Sequence, residues 1–108
     1  HQLVASHRLT LVEYYLTDKA GHSQDPDRAA TVLTSLDRFL GHLVEGLDLS
    51  RDLLVLTSDH GNLEDLSVKT HTRNPVPLVA LGTGAGRFAA ASSLMDVTPL
   101  LVNALAMD

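Results

Sequence analysis

The 108-residue chain contains no cysteine, which excludes disulfide scaffolds, thiolate metal sites and cysteine nucleophiles. Basic residues are few: eight lysines and arginines stand against thirteen aspartates and glutamates, for a net charge of −5. A nucleic-acid-binding protein normally carries a basic stripe, so we expect no nucleic-acid partner. No apolar run approaches the roughly 20 residues that a membrane-spanning helix needs, and no signal-peptide pattern opens the chain. We therefore expect a soluble, cytoplasmic protein without a membrane partner.

The length and composition predict one α/β domain over residues 1–108, since 44% of the residues are hydrophobic and 19% are charged. Residues 9–17 are rich in β-branched and aromatic side chains and predict a first strand. Residues 53–58 and 78–81 are short, continuous apolar runs, which is typical of strands covered on both faces. The alternation of strand and helix patterns favours an open, mostly parallel sheet flanked by helices.

Two helices are expected between and after these strands. Asp25 and Pro26 predict a helix start, with an N-cap carboxylate followed by proline at the first helical position. Apolar residues then recur at three- and four-residue steps until Gly46, where the helix should stop. Ser93 is the predicted cap of a closing helix over residues 94–107.

Three polar clusters follow or precede the predicted strands, and each contains histidine. In a parallel α/β sheet the carboxyl ends of the strands share one edge, where ligands bind. Two carboxylates and three imidazoles would meet there, a donor set that suits a catalytic divalent metal with an open coordination position. Five ligands exceed one such site and suggest two ions roughly 3.5–4 Å apart. The candidate metal ligands are Asp18, His22, Asp59, His60 and His71.

Two of these clusters carry a recognisable pattern. Residues 58–64 (SDHGNLE) and 70–77 (THTRNPVP) resemble the metal-binding signature of the alkaline phosphatase superfamily, and most of all its cofactor-independent phosphoglycerate mutase branch. Asp18 and His22 bracket three residues as in that branch, and residues 94–101 are similar to its closing helix. The resemblance implies the C-terminal half of an alkaline-phosphatase-like fold.

The resemblance also implies roles for the candidate ligands. Asp18, His22 and His71 would hold one divalent ion, and Asp59 and His60 would belong to a second, with manganese or zinc as the expected metals. A serine or threonine nucleophile from an N-terminal segment would attack a phosphate and form a phospho-enzyme, which a water or hydroxyl group then resolves, as in a hydrolase or an isomerase. No residue of this chain is assigned as catalytic, and the substrate-binding residues are unknown.

The chain is accordingly expected to be a metal-binding fragment of a larger metalloenzyme. One ion site would have its ligands within the chain, and the other would have only part of its ligands there. We expect no catalytic activity from the isolated chain. Its expected partners are a phosphorylated small molecule, the missing N-terminal segment and, through an exposed sheet edge, a second copy. Three alternatives stay open. The chain is a non-catalytic metal-binding or assembly module, it is a relative of phosphodiesterases or sulfatases, or its histidines are incidental to an ordinary α/β domain.

Overall fold

The computed structural model describes residues 1–107, which form helices, two strands and two 3₁₀ turns. The expected α/β class is confirmed. The elements are the helices α1 (Gln2–Ser6), α2 (Leu16–Ser23), α3 (Pro26–Glu45) and α4 (Val97–Ala106), the strands β1 (Leu53–Thr57) and β2 (Leu78–Gly82), and the 3₁₀ turns Ala85–Ala90 and Leu94–Asp96. Among these helices none combines the length and the apolar character that crossing a bilayer requires.

The chain divides into two compact units. The first comprises residues 1–10, residues 47–57 and the part of the chain from Pro77 onward, and it contains both strands. The second comprises residues 11–46 and 58–76, and it contains α2, α3 and all five candidate metal ligands. The single predicted domain therefore has two parts, of which one carries the site.

The two strands pair antiparallel, with Leu53 opposite Gly82 and Thr57 opposite Leu78. The predicted mostly parallel sheet is wrong for this pair. A parallel pair needs a crossover connection, usually a helix, and the described residues between β1 and β2 form none. Gly82 has a left-handed backbone (φ +99°), and a Cβ there would lie 2.2 Å from the Asp52 carbonyl oxygen. Beside the sheet, Phe88 is 4% exposed and forms the core of the first unit.

The predicted first strand over residues 9–17 is also wrong. Residues 9–15 have no regular structure, and α2 begins at Leu16. No strand in the described part of the chain pairs with this segment, and Leu11 is 83% exposed. Strand propensity expresses packing against neighbouring strands more than a preference of the backbone. The segment therefore lacks the neighbour that its composition suits.

Helix α3 confirms the predicted start and stop. The Asp25 side chain accepts hydrogen bonds from the amides of Asp27 (3.0 Å) and Arg28 (3.5 Å), which satisfies two of the unpaired amides of the first turn. Gly46 ends the helix, and its own amide donates back to carbonyls of the last turn. Helix α3 packs against α2, which supports the segment that carries Asp18.

The closing segment begins at Ser93 as predicted, but it has two parts. Ser93 Oγ accepts a hydrogen bond from the Met95 amide, and Asp96 Oδ2 accepts from the amides of Ser92 (2.9 Å) and Ser93 (3.1 Å). This reciprocal capping holds the 3₁₀ turn Leu94–Asp96, and α4 continues directly from it.

Candidate metal centre

Three histidine rings converge on one carboxylate oxygen. Asp18 Oδ1 lies 3.1 Å from His71 Nε2, 3.3 Å from His22 Nε2 and 3.7 Å from His60 Nε2. The Asp18 side chain is 36% exposed, so the cluster opens to solvent on one side. The structure thus gathers ligand candidates from all three polar clusters of the sequence around a single point.

Asp18 and His22 meet because they lie on the same helix. The sequence placed these two residues just after a predicted strand, but they lie in helix α2, where residues four positions apart lie on one face. The acidic side chain is in the first turn and the histidine in the last, an order that suits the helix dipole. The other ring nitrogen of His22, Nδ1, hydrogen-bonds the Lys69 carbonyl oxygen. This second contact orients the ring toward Asp18, as outer hydrogen bonds do for histidine ligands.

The rings of His60 and His71 stack face to face, with centroids 3.5 Å apart and planes inclined by 14°. His22 and His71 lie farther apart, with a centroid distance of 5.1 Å. Asp59 Oδ1 is 3.4 Å from His60 Nε2, but the Asp59 side chain is 86% exposed whereas that of His60 is 27% exposed. Asp59 therefore lies at the rim of the cluster, and the other four candidates form its centre.

Asn62 holds Asp18 through hydrogen bonds. The sequence alone did not assign it to the site. It is 3% exposed, and its Nδ2 donates to Asp18 Oδ1 (3.1 Å) and to the Asp18 carbonyl oxygen (3.2 Å). Gly21 makes room for it, since a Cβ there would lie 2.6 Å from Asn62 Cγ. The hydrogen bond from Asn62, with the three histidines, lowers the pKa of Asp18 below its ordinary 3.8 despite partial desolvation. Asp18 is therefore ionised at neutral pH.

A second outer contact involves Glu64. Its Oε2 accepts hydrogen bonds from Thr72 Oγ1 (2.9 Å) and Asn74 Nδ2 (3.3 Å). Partial desolvation raises the pKa of Glu64, but these two hydrogen bonds and nearby backbone amides hold it below its ordinary 4.5. Asn62 and Glu64 both lie in the SDHGNLE stretch that carries the resemblance, but that pattern does not indicate which residues they contact.

The chemistry of the donors fits a divalent cation. One oxygen of Asp18 and one nitrogen each of His60 and His71 lie within 4.8 Å of one another. Zinc–ligand bonds of about 2.0–2.1 Å in tetrahedral geometry would separate neighbouring donors by about 3.3 Å, and the three nitrogen–oxygen distances at Asp18 lie between 3.1 and 3.7 Å. Asn62 Oδ1 is buried and has no hydrogen-bond partner among residues 1–107.

Comparisons with known proteins agree with this chemistry. Residues 2–108 match the family described as the Metalloenzyme superfamily. Curated relatives named 2,3-bisphosphoglycerate-independent phosphoglycerate mutase include those of Halobacterium salinarum (37% identical, 91% of this chain and 21% of the relative), Haloarcula marismortui (34%, 84% and 19%) and Dinoroseobacter shibae (30%, 92% and 21%). The chain thus spans about a fifth of the length of these relatives. No solved structure matches it.

Proposed function

Since the chain belongs to the Metalloenzyme superfamily, we propose that it is the metal-binding part of a divalent-metal-dependent phosphotransfer enzyme of the phosphoglycerate mutase type. The observation that carries the proposal is the convergence of three imidazoles on Asp18 Oδ1. An ionised carboxylate and neutral imidazoles are the donors that manganese and zinc accept. The named relatives supply the reaction class and the phosphoglycerate substrate.

The number of candidate ligands, five, is the basis for proposing two ions, because a catalytic site with an open position uses about three protein ligands. The rings of His60 and His71 stack with centroids 3.5 Å apart, so two imidazoles lie side by side in the cluster. Paired catalytic metals lie about 3.5–4 Å apart. We assign one ion to Asp18, His22 and His71, and the other to Asp59 and His60, with Asp18 close to both. Further ligands of the second ion would come from another segment of the parent enzyme.

When bound, such ions neutralise charge on the attacking and leaving oxygens of a phosphoryl transfer. The residues of this chain hold the donors in place for that role. Asn62 fixes the Asp18 carboxylate, and the Lys69 carbonyl oxygen fixes the His22 ring. The nucleophile, a serine or threonine that becomes phosphorylated, lies outside this chain in the proposal, so the 108 residues alone bind metal without turning over substrate. The alkaline-phosphatase-like fold, of which they form the C-terminal half, is part of the same proposal.

The partner segment is proposed to pack on residues 9–15. Four of the larger apolar side chains of this segment are well exposed: Leu9, Leu11, Val12 and Tyr15. Apolar residues of strand-forming type in an unpaired segment favour addition of a neighbouring strand. A second copy of the chain is the competing occupant.

The proposal is tested by isothermal titration calorimetry, in which Mn²⁺ or Zn²⁺ is added to the chelator-treated chain and the metal affinity is measured. We expect Asp18→Ala and His71→Ala each to weaken binding by at least about tenfold, because each removes a direct ligand. His42→Ala is the matched control, since His42 is an exposed histidine on α3 whose near neighbour is Glu45. Unchanged affinity in Asp18→Ala and His71→Ala would refute the ligand assignment.

Interconversion of 2- and 3-phosphoglycerate by the full-length gene product tests the phosphotransfer part separately. Loss of this activity in Asp18→Ala, with His42→Ala active, is the expected result. Metal binding without any activity on phosphate esters would favour the non-catalytic module, and release of inorganic phosphate or sulfate without mutase activity would favour a hydrolase relative.

A further inference from the structure

We propose that Glu64 is a positioning residue that fastens the stretch carrying His71 onto the stretch carrying His60. The inference rests on the proposed metal site and extends it to a residue that neither the family match nor the names of the relatives assign. Glu64 Oε2 accepts hydrogen bonds from Thr72 Oγ1 at 2.9 Å and from Asn74 Nδ2 at 3.3 Å. Both donors lie within three positions of His71, on the far side of an irregular loop.

The backbone joins the same two stretches. Gly61 and Thr72 form an isolated antiparallel bridge, in which the Thr72 amide donates to the Gly61 carbonyl oxygen at 2.8 Å. Gly61 directly follows His60, and Thr72 directly follows His71. The bridge therefore sets the backbone separation of the two histidines. The Glu64 carboxylate joins the same two stretches through side-chain hydrogen bonds to Thr72 and Asn74. We call this arrangement of Gly61, Glu64, Thr72 and Asn74 the loop clasp.

The clasp is tightly packed at its centre. A Cβ on Gly61 would lie 2.1 Å from Thr72 Oγ1 and 2.6 Å from Glu64 Oε1. Only a glycine leaves space for the hydroxyl and the carboxylate to meet over the bridge. Asn74 adds a further hydrogen bond, since its backbone amide donates to Thr72 Oγ1 at 3.3 Å. The threonine hydroxyl is thus both a donor to Glu64 and an acceptor from the chain that follows, which fixes its rotamer.

Glu64 acts through this geometry and not as a metal ligand. It lies outside the one group of clustered metal donors in residues 1–107, which consists of Asp18, His60 and His71. The two hydrogen bonds that it accepts from side chains both end on the same oxygen, Oε2. A glutamine can accept both through its single carbonyl oxygen, so charge and geometry are separable by substitution.

The experiment is a Co²⁺ titration of the 108-residue chain, read by visible absorption, with Glu64→Ala, Glu64→Gln, Thr72→Val and Thr72→Ser. Loss of an outer hydrogen bond typically weakens metal binding by about 10–100-fold. We expect that loss in Glu64→Ala and Thr72→Val, together with shifted cobalt bands, because the two histidines no longer keep their separation. Glu64→Gln and Thr72→Ser should bind as the wild type does. The Glu64→Ala/Thr72→Val double variant should lose less affinity than the product of the two single losses, since both substitutions remove the shared Glu64–Thr72 hydrogen bond.

Asp65→Ala is the matched control. Asp65 is the neighbouring carboxylate and also accepts hydrogen bonds from a loop residue, Ser67, but within residues 1–107 it has no hydrogen bond to the stretch after His71. Wild-type affinity is expected for this variant. The inference is overturned if Glu64→Ala binds Co²⁺ as the wild type does, or if Glu64→Gln loses as much affinity as Glu64→Ala.

Amide hydrogen exchange at Thr72 without metal separates this inference from the proposed function. Faster exchange in Glu64→Ala, with wild-type exchange in Glu64→Gln, supports the clasp whether or not the chain binds metal. If the wild type binds no metal, that result refutes the proposed function and leaves the clasp standing. Equal exchange in wild type and Glu64→Ala refutes the clasp alone.

Discussion

Replacing Gly21 with alanine is expected to damage both the stability of the chain and its metal site, because Gly21 makes room for Asn62. In an ordinary helix the change from glycine to alanine stabilises by about 1 kcal/mol. At position 21, however, the new Cβ would lie 2.6 Å from Asn62 Cγ and Oδ1 and 2.9 Å from Nδ2. Asn62 is buried, so it cannot turn away without leaving Asp18.

The expected size follows from these contacts. Overpacking of a filled interior costs about 1–3 kcal/mol, and the two hydrogen bonds from Asn62 to Asp18 contribute about 0.5–1.5 kcal/mol each. Set against the helical gain, Gly21→Ala should be about 1–5 kcal/mol less stable than the wild type. Because Asn62 then releases the Asp18 carboxylate, metal affinity should also fall by about 10–100-fold.

Gly41 provides the matched control in the same unit. It lies in the interior of α3, and a Cβ there would meet nothing within 4 Å. Gly41→Ala should therefore stabilise the chain by about 0.5–1 kcal/mol and leave metal affinity unchanged. Urea unfolding followed by circular dichroism measures the first quantity, and Mn²⁺ titration measures the second. Equal stability and equal affinity in the two alanine variants would refute the role given to Gly21 and Asn62.

Two further expectations concern the ends of helices. Asp25→Ala should lower the free energy of unfolding by about 1 kcal/mol, because it leaves first-turn amides of α3 unpaired. Asp37→Ala is the control, since Asp37 is exposed on the same helix, and it should change the free energy of unfolding by less. Equal losses of the two variants in urea unfolding would contradict the role of Asp25 as a cap. The amides of Ser92 and Ser93 lower the pKa of Asp96 below its ordinary 3.8. This carboxylate therefore contributes stability that is fully present above pH 3.8 and is lost as the pH falls through its lower folded pKa. Asp96→Asn should reduce that acid dependence in thermal unfolding measured between pH 2 and 5, and an unchanged profile would contradict it.

Local signals in the sequence predicted the local structure well. The cap at Asp25 and the stop at Gly46 were correct because both depend on a few neighbouring backbone groups. The strands near residues 53–58 and 78–81 were also predicted, although their direction was not. Strand direction depends on the connection, and a long irregular segment contains no local sign of whether it will cross over the sheet or fold back.

The grouping of the candidate ligands was predicted for a partly incorrect reason. Asp18 and His22 were expected at the end of a strand, yet they meet on helix α2, where four-residue spacing brings them together. On an extended strand the two residues would lie about 13 Å apart, so the helix is what brings them together, and their role as metal ligands stays a prediction. Asn62 and Glu64 were not predicted as supports because their contacts, with Asp18 and Thr72, span distant parts of the chain. Such pairings depend on tertiary packing and leave no periodic pattern in the sequence.

The donors of the site come from two stretches separated by α3 and β1, and this has a consequence for how the molecule folds. Asn62 reaches Asp18 across 44 positions of sequence, and closing a loop of that length opposes folding by about 3 kcal/mol of chain entropy. Helix α3 can form before that closure, whereas the histidine cluster cannot. A cation that binds donors from both stretches would act as a reversible cross-link between them. It should slow unfolding more than it speeds refolding.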